Sequence, residues 1–292
     1  MKQAILTTGL NGLVGSKLAT DFAEKYDFTN LDLRNPDNPI DITNLNQVFN
    51  AFETSASEVV IHFAAFTNVT AAWEQNEDKD GLCYQVNVTG TENIIEACKQ
   101  TKKHLIHIST AYVFDGDKDE PYLETDRSNP IEWYGQTKLW AEELISDSTI
   151  DWTILRIDQP FRSDPFPKKD VAHRIIDGIK ENNLYPQFTN HYFGPTFIND
   201  FVRVLDFFIR TKNKGLFHAT SGEQWADYDF AKLINDTLKL GGEIKKGDLN
   251  EYLKTLKRPY QKNTALNCDK LKNILDFKLT DIKQAVKFLK NF

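Results

Sequence analysis

The sequence predicts an α/β fold: a doubly wound parallel sheet with a smaller mixed α/β lobe formed by the C-terminal residues. Three observations predict it. Short apolar runs alternate with helix-forming stretches through residue 156, as strands and their covering helices do in a parallel sheet. The first run leads directly into the glycine-rich turn Thr8-Gly9-Leu10-Asn11-Gly12-Leu13-Val14-Gly15. The alternation then stops at Asp158-Gln159-Pro160-Phe161-Arg162-Ser163-Asp164-Pro165-Phe166-Pro167, a loop by its prolines.

In chain order, Ala4-Ile5-Leu6-Thr7 reads as the first strand, residues 13–26 as a helix and residues 29–33 as the second strand. Thr43 or its neighbour caps a helix running through residue 52. Val59-Val60-Ile61-His62-Phe63 is continuous and apolar, as a buried parallel strand should be. A helix is expected over residues 80–102, and Leu105-Ile106-His107-Ile108 is the fourth strand. A segment of strong helix formers follows Trp133, then Trp152-Thr153-Ile154-Leu155-Arg156 as a further strand. In the second lobe helices are expected over residues 171–182, 228–240, 269–275 and 280–290, with Gly215-Leu216-Phe217-His218-Ala219 as the clearest strand.

Composition narrows the function classes. A chain of 292 residues, 40% hydrophobic and 26% charged, is an ordinary globular protein able to bury a sizeable core. A formal charge of −7 and scattered lysine pairs argue against nucleic acid. No apolar run approaches the length of a bilayer span, and the first residues lack the apolar core of a signal peptide. Three widely spaced cysteines, Cys83, Cys98 and Cys268, fit free thiols in a reducing cytoplasm and match no zinc spacing, so no metal site is expected.

Four groups of residues carry chemistry. Tyr134 and Lys138 are four apart and share one face of their helix, where an ammonium favours the phenolate and eases proton exchange with an alkoxide. The glycine turn between strand and helix lets backbone approach a pyrophosphate at a helix N-terminus, which points to a dinucleotide held by Gly9, Leu10, Asn11, Gly12, Leu13 and Val14. Asp32, at the end of the second strand, is placed to hold adenosine ribose hydroxyls, while Arg34 suits a 2′-phosphate, so NAD and NADP both stand. Asp41 and Ile42 are placed either for the adenine edge or for a simple turn, which explains the pair equally well. Ser109-Thr110 ends the fourth strand, where a hydroxyl can donate to a carbonyl that becomes an alkoxide. His62, His104, His107 and His218 lie in or beside strands and read as packed side chains. Trp140 reads as core or interface, and Trp133 as a candidate for the pocket wall.

Together, Thr8-Gly9-x-x-Gly12-x-x-Gly15, Ser109-Thr110 and Tyr134-x-x-x-Lys138 resemble the extended short-chain dehydrogenase/reductases, and within them the dTDP-4-dehydrorhamnose reductase group. Asp41-Ile42-Thr43, His62-Phe63-Ala64-Ala65-Phe66-Thr67, Val86-Asn87-Val88-Thr89-Gly90-Thr91, Ser109-Thr110-Ala111-Tyr112-Val113-Phe114-Asp115-Gly116 and Lys257-Arg258-Pro259 support it. The resemblance implies a Rossmann-type NAD(P)-binding domain over residues 1–157 and a substrate lobe over 158–292, some segments of which return to the first domain. It implies Thr110, Tyr134 and Lys138 as catalytic positions, with Lys138 lowering the tyrosine pKa and holding the nicotinamide ribose. Phe63, Ala64 and Ala65 pass the cofactor, and Thr67, Asn87, Thr110, Trp133 and Arg258 face the substrate. The implied activity is reduction, by NADH or NADPH, of the 4-keto group of a nucleotide-linked deoxysugar. The expected partner is that substrate, with neither nucleic acid nor membrane, and a homodimer is the assembly considered.

Two segments depart from the group's pattern. Val69-Thr70-Ala71-Ala72-Trp73 is nearly neutral where the group carries charge, and Ile157-Asp158-Gln159-Pro160-Phe161-Arg162 replaces an aromatic-rich string. Both lie on the group's substrate side, which leaves the sugar open. A nucleotide-sugar epimerase or dehydratase of the same family, and a non-catalytic NAD(P)-binding regulatory subunit, are the alternatives. Ala111 supplies no acid beside Thr110, against a dehydratase; the intact Thr110, Tyr134 and Lys138 stand against an idle site.

Overall fold

The computed structural model describes residues 1–35 and 38–289. The strands β1 (Gln3–Thr8), β2 (Tyr26–Leu31), β3 (Val59–His62), β4 (His104–Thr110) and β5 (Trp152–Ile157) pair in parallel, and Gly215–His218 adds a sixth outside β5. Their order across the sheet is Gly215–His218, β5, β4, β3, β1, β2. Chain direction across the sheet reverses between β1 and β3, and ligands of open α/β sheets bind at such a reversal, outside the strands' carboxyl ends.

The period-two geometry of a strand sorts each apolar run onto two faces. Ile5, Val59, Ile61, Ile106 and Leu155 join one core with Leu18 and the helix Ile198–Thr211. Leu6, Val60, Leu105 and Ile154 join the other, under the helices Leu45–Thr54, Gly90–Thr101 and Trp133–Ser146. A third cluster, built on Phe161, Ile175, Ile176, Phe193, Phe230 and Ile282, belongs to the later residues.

Several elements differ from expectation. The first helix covers only Gly15–Asp21, because Tyr26, expected to end it, opens β2, where its ring is buried and its hydroxyl donates to Asp206 at 2.6 Å. The stretch 80–102 is not one helix: a π-helical turn, Gln85–Thr89, separates Leu82–Tyr84 from Gly90–Thr101. Such turns bulge a helix outward, and this one carries the buried Asn87. The later helices are Val171–Lys180, Asp227–Leu238, Asp269–Lys272 and Ile282–Lys287; the expected end of the last, Lys290, lies outside the described residues.

The helix Ile198–Thr211 has no counterpart in the sequence-based elements. Its signal was present, since Ile198, Phe201, Val202, Leu205, Phe208 and Ile209 keep the i, i+3, i+4, i+7 spacing of a helix face turned to the sheet, with Arg203 and Arg210 exposed on the other side. That helix returns the chain to the first core, so Gly215–His218 joins the main sheet rather than the second lobe.

The helix Trp133–Ser146 is locked to the sheet by a buried ion pair. Arg156 of β5 donates from Nε to Glu142 Oε1 at 2.9 Å and from Nη2 to Oε2 at 2.5 Å, and Ser109 of β4 donates to Oε1 at 2.5 Å. Removing one partner of such a pair strands the other's charge away from water. Glu142→Leu is expected to destabilise the protein by about 3–5 kcal/mol in urea unfolding, while Glu142→Leu with Arg156→Met recovers most of the loss.

Candidate active site

The carboxyl ends of β1, β3, β4 and β5 open into a cleft of about 1070 Å³ between the sheet and the later residues. Gly9, Asn11, Gly12, Leu13, Val14, Asp32, Arg34, Asp41, Ile42, Phe63, Ala64 and Ala65 line one part of it. Thr67, Ser109, Thr110, Tyr112, Tyr134, Lys138, Asp158 and Gln159 line the remainder. The sheet register brings them there: Thr8 lies opposite His62, His62 opposite His107, and Thr110 opposite Ile157.

The glycine turn fits a dinucleotide. Gly9 has φ +66°, and a Cβ there would lie 2.8 Å from the backbone of Ala64, so only glycine allows this approach of β1 to the loop after β3. Asp32 is buried; its Oδ1 accepts from the Arg34 N–H at 2.9 Å and its Oδ2 has no partner among the described residues. An unfilled acceptor at this strand end is what a ribose hydroxyl satisfies. The Arg34 side chain is 73% exposed, and its Nε lies 3.4 Å from Asp32 Oδ1, so the guanidinium stands at the same strand end, where a 2′-phosphate would meet it.

Glu132 caps the helix that carries Tyr134 and Lys138. Its two oxygens accept from the N–H groups of Tyr134 (2.8 Å) and Gly135 (2.6 Å), satisfying donors at the helix start. Gly135 packs against the Tyr112 carbonyl with no space for a side chain, drawing the helix onto the end of β4. Lys138 is 2% exposed and donates to the Ile108 carbonyl and to His107 Nε2, each at 2.9 Å. Two of its three donors are thereby used. Burial lowers Lys138 to about 8, with the Glu142 carboxylate acting the other way, so the ammonium persists at neutral pH.

Tyr134 departs from expectation. Its phenol is pushed up, not down: burial raises it most, the nearby Thr110 hydroxyl lowers it, and the negative charge of Glu132 and Asp158 raises it. Withdrawal from water outweighs any help from the lysine four residues on. The phenol therefore stays protonated at neutral pH.

Four predicted residues do not line the cleft. Leu10 is buried behind the turn, its N–H donating to Asn30 Oδ1 at 3.0 Å. Asn87 is buried; it accepts from the Phe66 N–H at 2.8 Å and donates to Thr137 Oγ1 at 3.0 Å, tying the loop after β3 to the site helix. Trp133 stacks on Tyr84 with centroids 6.4 Å apart and meets Trp140 edge-on, in a cluster with Ala72 and Cys83. Arg258 lies 4.9 Å over the Tyr260 ring, its Nε buried without a partner among the described residues, and its charge reaches Tyr112 and Glu132.

The sequence motifs passed over other groups. His107, grouped with the packed histidines, touches Lys138; burial, the ammonium and His62 hold it well below the usual imidazole range, so it accepts as a neutral ring. Its signal was its place three residues before Thr110, on a strand that ends at the site. Glu132 and Asp158 are carboxyls raised by burial to about 7, both close enough to act on Tyr134. For Asp158 the signal was a charged residue immediately after an apolar strand.

The same family appears in comparisons with known proteins. The model of the RmlD substrate binding domain matches residues 1–291. The chain belongs to the RmlD family. Among RmlD relatives, a dTDP-4-dehydrorhamnose reductase from Sinorhizobium fredii is 30% identical, over 98% of this chain and 96% of that protein. A crystal structure of a dTDP-4-dehydrorhamnose reductase from Clostridium acetobutylicum superposes with a TM-score of 0.86 at 27% identity, covering 98% of both chains. Another, from Bacillus anthracis in complex with NADP, superposes at 0.88 and 24% identity, covering 99% of both, and shares the fold. No helix among the described residues of this RmlD member is long and apolar enough to cross a membrane.

Glu132 makes stability depend on pH. Its carboxyl rises from 4.5 to about 7 on folding, so between those values the folded state holds more proton than the unfolded one. The stability it contributes is full below about 4.5 and is lost as pH rises through 7. Asp158 acts with the same sign. The urea midpoint is expected to fall across this window, and Glu132→Gln flattens the fall, beside a pH-independent loss of about 1 kcal/mol for the weakened cap.

Proposed function

We propose that this protein uses NADH or NADPH to reduce the 4-keto group of a nucleotide-linked deoxysugar, with dTDP-4-dehydrorhamnose the first substrate to test. The observation that carries this is the convergence of Thr110, Tyr134 and Lys138 on the cleft that also holds the glycine turn and Asp32. The relatives' activity and full-length coverage support it.

The chain's own residues divide the work. The bound nicotinamide supplies the hydride. Gly9, Asn11, Gly12, Leu13 and Val14 receive the pyrophosphate, Asp32 or Arg34 the adenosine ribose, and Asp41, Ile42, Phe63, Ala64 and Ala65 flank the rest. The remaining donor of Lys138 is left for the nicotinamide ribose. Thr110 orients the carbonyl, and Tyr134, kept protonated by burial, delivers its proton to the forming alkoxide. A raised phenol suits this direction, because reduction needs a donor rather than a phenolate. The Lys138 ammonium stabilises the phenolate left behind.

Thr67 receives the substrate within the cleft, while Arg258, outside that lining, acts through its charge on Tyr112 and Glu132. Asn87 and Trp133 act from behind by holding the wall. The division at residues 157 and 158 into cofactor and substrate lobes, and a place in the cytoplasm, go with this reading. The negative formal charge suits a small substrate rather than nucleic acid.

Absorbance of reduced nicotinamide, followed across a panel of 4-keto-6-deoxy nucleotide sugars with both cofactors, tests the reading; a flat trace throughout would end it. Tyr134→Phe is expected to lower kcat by roughly 10²–10⁴-fold with dinucleotide affinity kept. Asp32→Ala is expected to weaken NADH binding about tenfold, read by nicotinamide fluorescence, since it removes charge-assisted hydrogen bonds to the ribose.

A further inference from the structure

We propose that Asp158 is a specificity-determining residue whose Oδ1 receives a ring hydroxyl of the hexose; this rests on the reductase reading of the cleft. Asp158 follows β5 at the carboxyl edge of the sheet and lines the cleft, yet is only 2% exposed. One oxygen is committed: Oδ2 accepts from the Gly194 N–H at 2.9 Å and from Thr264 Oγ1 at 2.6 Å. The main chain is pinned as well, the Asp158 N–H donating to Thr196 Oγ1 at 3.1 Å and that hydroxyl donating back to the Asp158 carbonyl at 2.7 Å. The carboxyl therefore cannot turn to satisfy its other oxygen. Oδ1 is buried and has no partner among the described residues.

A buried acceptor without a donor costs roughly 1–3 kcal/mol. Above its raised value of about 7 the ionised side chain, held rigidly in that state beside a cleft, is set to take a donor from the ligand, so the contact is read at pH 8. Phosphate oxygens offer only acceptors and repel a carboxylate, whereas a sugar ring offers hydroxyls. Asp158, Tyr112 and Tyr134 line the same cleft, so a hydroxyl taken by Oδ1 is held in the space that the protonating phenol also faces. Recognition through a fixed polar partner discriminates strongly, because an analogue lacking the hydroxyl leaves that partner unpaired.

Asp158→Asn separates this role from a structural one. The amide oxygen still accepts from Gly194 and Thr264, while an NH₂ replaces Oδ1. The expected result is a rise of about tenfold in the KM of the keto sugar, with the KM of NADPH within twofold and a melting temperature close to that of the unaltered protein. Sugars lacking one ring hydroxyl each complete the test: for one of them, the penalty seen with the unaltered protein disappears in the variant. An unchanged sugar KM, equal penalties in both proteins, or a rise confined to the dinucleotide overturns the proposal. Calorimetry with the nucleotide sugar reads the same contact without turnover. Sugar that binds the unaltered protein in an Asp158-dependent way but is never reduced overturns the reductase reading while the contact stands.

Discussion

The buried pair between Glu142 and Arg156 is the interaction on which the site's geometry depends. Glu142 stands one helical turn beyond Lys138, Arg156 lies on β5, and the Ser109 hydroxyl that completes the pair precedes Thr110 on β4. One carboxylate thus ties together the helix and both strands from which the reactive groups project. Phe114 lies 4.9 Å beneath the guanidinium, and His218 Nε2 is 3.4 Å from Nη1, so the charges are enclosed as well as matched. Desolvated charges bond well only in a narrow geometry, and this makes the pair a stiff spacer rather than a large source of stability.

Burial also governs the electrostatics of the cleft floor. It keeps Tyr134 protonated, lowers Lys138 to about 8 without removing its charge, and raises Glu132 and Asp158 to about 7. Beneath the lysine, burial and the ammonium hold His62 down to about 3 and His107 well below the imidazole range. His62 is occupied by Thr8 at 2.7 Å and Thr91 at 3.1 Å, which joins β1 and β3 to the helix behind them. The cation at the floor is Lys138, and its neighbours are neutral rings and a carbonyl. A charge in such surroundings acts on a developing alkoxide with little screening.

The loop after β5 is fastened across the cleft to the first helix and to the loop after β3. Arg162 donates to the Leu13 carbonyl at 3.1 Å and to Ser16 at 2.8 Å, and Lys17 meets Asp164 at 3.1 Å. Lys168 reaches Thr67 at 3.0 Å. These polar bonds set the cleft's width, while the two apolar cores make each wall firm. Because Arg162 grips the start of the first helix, the loop that follows Asp158 is placed relative to the glycine turn itself.

What the sequence determined by itself was local and periodic. Apolar runs and the glycine turn set the parallel sheet and its first crossover, since strand burial and positive φ at Gly9 leave a direct mark on residue type. The helix spacing of Tyr134 and Lys138, and the strand end at Thr110, were equally legible. Other features were decided only by contact between distant segments. The apolar face of Ile198–Thr211 keeps helical spacing, but which layer it covers is set by packing, and Gly215–His218 chooses its sheet in the same way. Trp133 and Asn87 turn out to be wall supports, because a helix face says nothing of which neighbour covers it. The direction of the Tyr134 shift and the lone oxygen of Asp158 likewise came from tertiary structure, for burial and hydrogen-bond completeness are properties of the folded surroundings.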